Sequence, residues 1–222
     1  MKKEVKYMIL EIFTDASIRK FDKRTFGCSG AIAPLENVAK YTINPDSTNN
    51  RSELVAVYLG IQLAIEIRNN NPTKYTDFYI YSDSQFSIFG LTKWIYGWIR
   101  TSKNGIMYGS NGQPVKNQDL FKMILSYLVL NKIKIHFFHQ AGHVKYTNIK
   151  ALQAANEVFH TSNGFYLRPE DIFKISFYND IVDKTSRAKL ASINPDEYII
   201  INKNNMSPIE YVLPKEFKNY VE

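Results

Sequence analysis

Cysteine is almost missing from this chain: among 222 residues it occurs once, at Cys28. No internal disulfide framework and no cysteine-based metal site can form, which suits a cytoplasmic or other reducing intracellular compartment. Long hydrophobic runs are missing too. The longest nearly unbroken one, residues 54–65, is interrupted by Gln62 and falls far short of the ~20 apolar residues a membrane helix needs. The opening stretch MKKEVKYMILEIFTD places basic residues before apolar ones, but Glu11 and Asp15 break it and no small-residue cleavage site follows, so a first strand is expected rather than a signal peptide. Internal repeats and low-complexity tracts are absent. What remains is an ordinary globular composition, 45% hydrophobic and 22% charged, long enough for one enlarged domain with a sizeable core.

Acidic residues are scarce in one place. Residues 93–156 carry Lys93, Arg100, Lys103, Lys116, Lys122, Lys132, Lys134, Lys145 and Lys150 against Asp119 alone, so this segment holds all of the net +7 charge and the rest of the chain is slightly negative. Trp94, Tyr96, Trp98 and Tyr108 are interleaved with those cations. Such a segment fits a surface that tracks a phosphate backbone, and it equally fits a solvated basic face.

The patterning changes period along the chain. Residues 5–14, 26–34 and 38–43 are expected as strands of an antiparallel meander. Leu54, Val57, Tyr58, Ile61 and Ile65 then recur at helical spacing, predicting a helix over about 50–69. A fourth strand at 77–82 leads into a helix from Ser84 to about Ile95, a polar loop at 97–114, a helix at 117–130 and a fifth strand at 133–138. A last helix is expected over about 179–190. The order βββαβαβ with that final helix is an α/β layer fold, and the helix between strands implies a parallel crossover.

Asp15 in IFTDAS and Asp83 in IYSDSQ each follow an apolar strand. If those strands are parallel neighbours, both carboxylates emerge at the carboxyl edge of the sheet, where open α/β sheets place ligands. Each also has a structural explanation: Asp83 as a helix cap, and Glu53 as the acid of an Asn50-x-x-Glu53 capping box. Spacing alone leaves both readings open.

With TNNRSEL at 48–54 lying between those two strings, the chain closely resembles the cellular type 1 ribonucleases H, which cut the RNA strand of an RNA/DNA hybrid. The resemblance continues through SDSQFSIFGLTKWIYGW at 82–98, GQPVKNQDL at 112–120 and IKIHFFHQAGH at 133–143. It implies an RNase H-like five-stranded mixed sheet with helices on both faces, filling residues 1–192. It further implies that Asp15, Glu53 and Asp83 are metal-binding acids. The family's fourth acid sits in an N-x-x-x-D pattern, matched by Asn179 to Asp183, with Asp180 as the fallback. Thr48 and Asn117 match the DNA-phosphate pocket, and Asn49 and Asn50 match positions that read the minor groove of the hybrid. Residues 93–116 take the place of the basic protrusion, with Arg100 and Lys103 as its contacts. His143, or else His139, stands for the family's mobile histidine.

Four converging acids have a physical reason to bind cations: two like charges 4 Å apart at an effective dielectric near 20 repel by about 4 kcal/mol. Hard oxygen ligands beside a phosphodiester favour two Mg²⁺ ions, with Mn²⁺ as a substitute. In the two-metal scheme such ions, about 3.5–4 Å apart, activate a water and stabilise the leaving 3′-oxygen, giving 5′-phosphate and 3′-hydroxyl ends. The alternatives are a hybrid-binding module without catalysis and another nuclease of the same fold. The resemblance also exposes an insertion at 144–178, read as a short helix over Ile149 to Phe159 ended by Ser162-Asn163-Gly164, and a C-terminal extension at 193–222. No membrane association is expected, and no protein partner can be named.

Overall fold

The computed structural model describes residues 8–22 and 24–195. Five strands form one mixed sheet in the order β3-β2-β1-β4-β5: β1 (Ile9–Phe21), β2 (Arg24–Ala33), β3 (Val38–Pro45), β4 (Asp77–Ser82) and β5 (His136–His139). β1, β2 and β3 pair antiparallel, whereas β4 joins β1 and β5 joins β4 in parallel. The helices are α1 (Asn49–Asn70), α2 (Gln85–Phe89), α3 (Ile95–Arg100), α4 (Gln118–Leu130), α5 (Ile149–Asn163) and α6 (Pro169–Ala191). No described helix is long and apolar enough to cross a membrane.

Alternation along β1 divides the core in two. Leu10 and Ile12 are buried with Leu54, Val57 and Ile61 of α1 and with Phe121, Ile124 and Leu128 of α4. On the opposite face Phe13 stacks on Tyr81 and packs with Phe159 of α5 and with Ile175 and Val182 of α6. Each fully buried side chain of this size contributes roughly 1.5–3 kcal/mol. α6 can lie close because β2 presents Gly30 to it; a Cβ there would press on Val182 and on the Tyr41 ring.

Several expected boundaries are corrected. β1 does not stop at residue 14: β2 goes on pairing it to Phe21, so Asp15 lies within a strand, opposite Gly30. Its parallel pairing with β4 does end there, at Thr14 and Ser82. β5 is shorter and later than 133–138, although Ile133 and Ile135 are buried. The polar loop expected from residue 97 begins after Arg100, because a π-helical turn at Gly90–Trp94 carries the helix on. That wider turn re-aims the residues after it. Trp98 packs against Phe121, while Trp94 and Tyr96 stay exposed.

The last helix is not confined to 179–190. α6 is continuous from Pro169, a residue suited to a first helical turn, with Glu170 and Asp171 favourably placed at its positive end. The 144–178 insertion is therefore α5 plus the opening turns of α6. α5 ends as its sequence anticipates, on Gly164 at φ +89°. Asn163 then covers the exposed edge of β5: its side-chain oxygen accepts from the His139 backbone N–H at 3.2 Å, and its amide donates to the His139 carbonyl at 2.8 Å. The strand expected at Tyr198 to Ile201 lies outside the described residues.

Candidate active site

Three acids from three separate elements meet at the edge where β1 and β4 stop pairing. Oxygens of Asp15 (β1), Glu53 (α1) and Asp83 (just past β4) all lie within 4.8 Å of one another. Neither capping explanation describes them. Thr48 caps α1, its hydroxyl accepting from the Arg51 N–H at 3.3 Å, and Ser84 caps α2 through the Ser87 N–H. The caps are filled by neighbours, which leaves both carboxylates free to converge.

The cluster is buried and short of positive charge. Burial, and then the charges of Asp83 and Asp183, push the Asp15 carboxyl up to about 9. Burial followed by Asp15 and Asp83 drives Glu53 well above the ordinary carboxylate range. Asp83 is also raised by burial, against the opposing influence of an Asn179 hydrogen bond and of His143. Asp15 Oδ1 accepts from the Ala16 N–H at 2.6 Å, but Asp15 Oδ2 and Glu53 Oε2 are buried with no hydrogen-bond partner among the described residues. A buried carboxylate oxygen left this way is costly unless a cation or a proton meets it. An all-oxygen donor set of this kind fits a hard divalent ion.

Asp183 of α6 reaches the same cleft and Asp180 does not. Asp183 Oδ1 accepts from Ser17 Oγ at 3.1 Å and from Arg187 Nε at 2.8 Å. Asp180 is paired instead with Lys184 at 2.7 Å, one helical turn on. Of the two histidines, His143 lines the cleft, with Nδ1 3.5 Å from Asp183 Oδ2 and a largely exposed ring. His139 is buried against Phe89, and its Nδ1 lies 2.8 Å from Ser162 Oγ. Gly142, between them, is needed for close approach: any Cβ there would collide with Asp83 Oδ2.

The cleft, of about 590 Å³, is also lined by Asn49, Asn50 and Arg187. Thr48 and Asn117 stand at the heads of α1 and α4 and are linked through Arg51, whose Nη1 donates to Asn117 Oδ1 at 3.4 Å while its Nη2 pairs with Asp119 at 2.8 Å. Asn117 adopts φ +57° and makes no side-chain cap bond to α4; its carboxamide oxygen is turned to Arg51 instead. Arg100 belongs to a second groove with Trp94, Trp98 and Tyr108, and Lys103 is exposed beyond it. These two are not brought to the acid cleft.

Sequence reasoning missed Ser17, Arg187 and Gln140. Arg187 had a readable signal, since a cation four residues after an acid shares its helix face. Gln140 had none.

The RNase H family model matches residues 8–159, so the match ends inside α5 and Asp183 lies beyond it. A Haemophilus influenzae ribonuclease HI is 35% identical over 138 residues, 60% of this chain and 80% of that protein. An Erythrobacter litoralis ribonuclease H is 32% identical over 114 residues, 51% of this chain and 69% of the relative. Against a Haemophilus ducreyi ribonuclease HI, 38% identical over 91 residues, the chain spans about half of the relative's length, 48%. Among solved structures, LC9-RNase H1, described as a type 1 RNase H with the type 2 active-site motif, aligns with a TM-score of 0.41 at 17% identity, over 79% of this chain and 85% of that one. With the family match extending across all five described strands and over Asp15, Glu53 and Asp83, the chain belongs to the RNase H family.

Proposed function

We propose that this chain hydrolyses the RNA strand of RNA/DNA hybrids, with Asp15, Glu53, Asp83 and Asp183 holding two Mg²⁺ ions, for which Mn²⁺ can substitute. The observation that carries the reading is the trio of carboxylates within 4.8 Å of one another, two of whose buried oxygens have no partner. Membership of the RNase H family, shown by the match over residues 8–159, supports the choice of substrate. When bound, divalent ions activate the attacking water and stabilise the leaving 3′-oxygen, so that the products carry 5′-phosphate and 3′-hydroxyl ends.

The remaining roles fall to the chain's own groups. Asn49 and Asn50, in the first turn of α1, lie in the cleft beside Glu53 and read the minor groove; with nearby backbone carbonyls they sense the 2′-hydroxyl that distinguishes RNA. Thr48 and Asn117 seat a phosphate of the DNA strand, where a 2′-hydroxyl would obstruct. Arg100 and Lys103 contact the backbone farther along. His143, exposed at the rim, carries protons in and out of the site. In this reading residues 1–192 are the catalytic unit and residues 193–222 an extension.

The test is incubation with end-labelled RNA/DNA hybrid, duplex RNA and duplex DNA, each with Mg²⁺ and with chelator. Cleavage confined to the RNA of the hybrid, and abolished by chelator, is expected. Binding of the hybrid without cleavage would identify a non-catalytic module, and equal cleavage of duplex DNA would identify a different nuclease.

A further inference from the structure

Gln140 is a large polar side chain, 1% exposed, set between β5 and α6. Its backbone N–H donates to the Ser82 carbonyl at 3.0 Å, extending the ladder between β4 and β5 right up to Asp83. Its side chain then crosses to α6, where Nε2 donates to Asn179 Oδ1 at 2.7 Å. Asn179, itself 2% exposed, donates from Nδ2 to Asp83 Oδ2 at 3.3 Å.

The direction of this chain is dictated by chemistry. An ionised Asp83 only accepts, so Asn179 must face it with its amide nitrogen. The Asn179 oxygen then points at Gln140 and requires a donor, which fixes Gln140 with Nε2 inward. Reversing Gln140 alone would set two carbonyl oxygens 2.7 Å apart at the same position. Gln140 Oε1 is left buried without a partner, so this amide is bonded on one side only, toward Asn179. An apolar residue of the same size would remove that orphan but leave the buried Asn179 Oδ1 without its donor, so what this amide supplies that no apolar side chain can is the hydrogen bond to Asn179.

We infer that Gln140 is a positioning residue: it holds the Asn179 carboxamide in the one orientation that presents a donor to Asp83, and so sets the direction of that carboxylate in the acid cluster. The inference deepens the proposed metal-dependent reading and rests on it. It also gives the loop between His139 and His143 a task, because the same loop brings Gly142 against Asp83.

The test uses the full chain and Gln140→Leu, which keeps the volume and removes the donor, with Gln140→Met as a second variant. Mg²⁺ binding is measured by calorimetry without substrate, kcat and KM on the hybrid separately, and the thermal midpoint in chelator. Loss of a group that orients a metal ligand weakens metal affinity or turnover by about 10- to 100-fold. Such a loss is expected in Mg²⁺ affinity and kcat, with KM for the hybrid essentially unchanged and the thermal midpoint lowered by no more than about 10 °C, the cost of leaving the buried Asn179 oxygen without its donor. Because Gln140 acts through Asn179, Gln140→Leu should add nothing in an Asn179→Ala background. Wild-type Mg²⁺ affinity and kcat in both Gln140 variants would overturn the inference, as would additive losses in the double variant or a collapse of the midpoint in both. Asp83→Asn separates the two failures. If it binds Mg²⁺ normally, the metal reading of Asp83 is wrong; if it does not while Gln140→Leu does, only the positioning role is.

Discussion

β1 carries two acids, Glu11 and Asp15, and α6 meets both, yet their surroundings are opposite. Glu11 Oε2 accepts from Lys174 Nζ at 2.8 Å, and the same ammonium reaches Asp171 at 3.4 Å. At that end each negative charge is answered by the chain itself. Asp15 meets Glu53, Asp83 and Asp183, and a buried oxygen is left over on both Asp15 and Glu53. The geometry pairing the two ends is simple. From Lys174 to Asp183 the helix rises about 13.5 Å at ~1.5 Å per residue, and from Glu11 to Asp15 the strand advances about 13 Å at ~3.3 Å per residue, so the elements stay in step. The difference teaches that the same strand–helix contact closes as ion pairs at one end, whereas at the other Arg187 reaches Asp183 but leaves buried oxygens of Asp15 and Glu53 unanswered among the described residues.

The comparison is broken most severely by Asp15→Asn. Cleavage should fall by more than about 100-fold, beyond what loss of an outer partner costs, while hybrid binding in a gel-shift assay persists. In chelator near neutral pH the same variant should melt higher than wild type, because asparagine removes the cost of protonating a buried acid on folding. Asp183→Asn should also depress turnover strongly, whereas Asp180→Asn, which only releases Lys184, should leave it near wild type; equal mild effects in kinetic assays would remove Asp183 from the set.

Mg²⁺ at 100 times its dissociation constant should stabilise the fold by about 2.7 kcal/mol, a rise of roughly 5–10 °C in a thermal scan against chelator. The pH dependence in chelator has a definite sign. Burial and the neighbouring acids push the Asp15 carboxyl up to about 9 in the folded protein from its ordinary 3.8 when unfolded, so between those values the folded state binds more protons. Metal-free stability should therefore be fullest below about pH 4 as far as this group is concerned, and be lost as pH rises toward 9; Mg²⁺ should flatten that slope. The smallest effect is expected at the fastened end. Lys174→Met should cost about 0.5–1 kcal/mol and leave Mg²⁺ affinity unchanged. A large change in that affinity would mean the two ends are coupled.

Much of this was legible before any coordinates. The period of α1, with Leu54, Val57 and Ile61 inward, follows from spacing alone, as does the Gly164 stop of α5. Asp15 and Asp83 were expected to be neighbours if their two strands paired in parallel, a condition the structure meets, although Asp15 lies within its strand. The start of α6 at Pro169 rather than near Asn179 has a local signal in Arg168-Pro169-Glu170, a proline in the first turn followed by acids, but nothing local shows that the helix runs unbroken through Asn179. His139 and His143 could not be separated by sequence, since burial against Phe89 rather than exposure over the cleft is decided by where β5 ends.

By itself the sequence determined the main element types and the motif strings that hold Asp15, Glu53 and Asp83, because these depend on local periodicity and residue chemistry. Only the tertiary structure decided that Asp183 rather than Asp180 enters the cleft, that Gln140 reaches Asp83 through Asn179, and that Asn163 seals the edge of β5. Such choices turn on how far one helix slides and rotates over a sheet. A shift of one residue turns a helical side chain by about 100°, and nothing local in the chain records that setting.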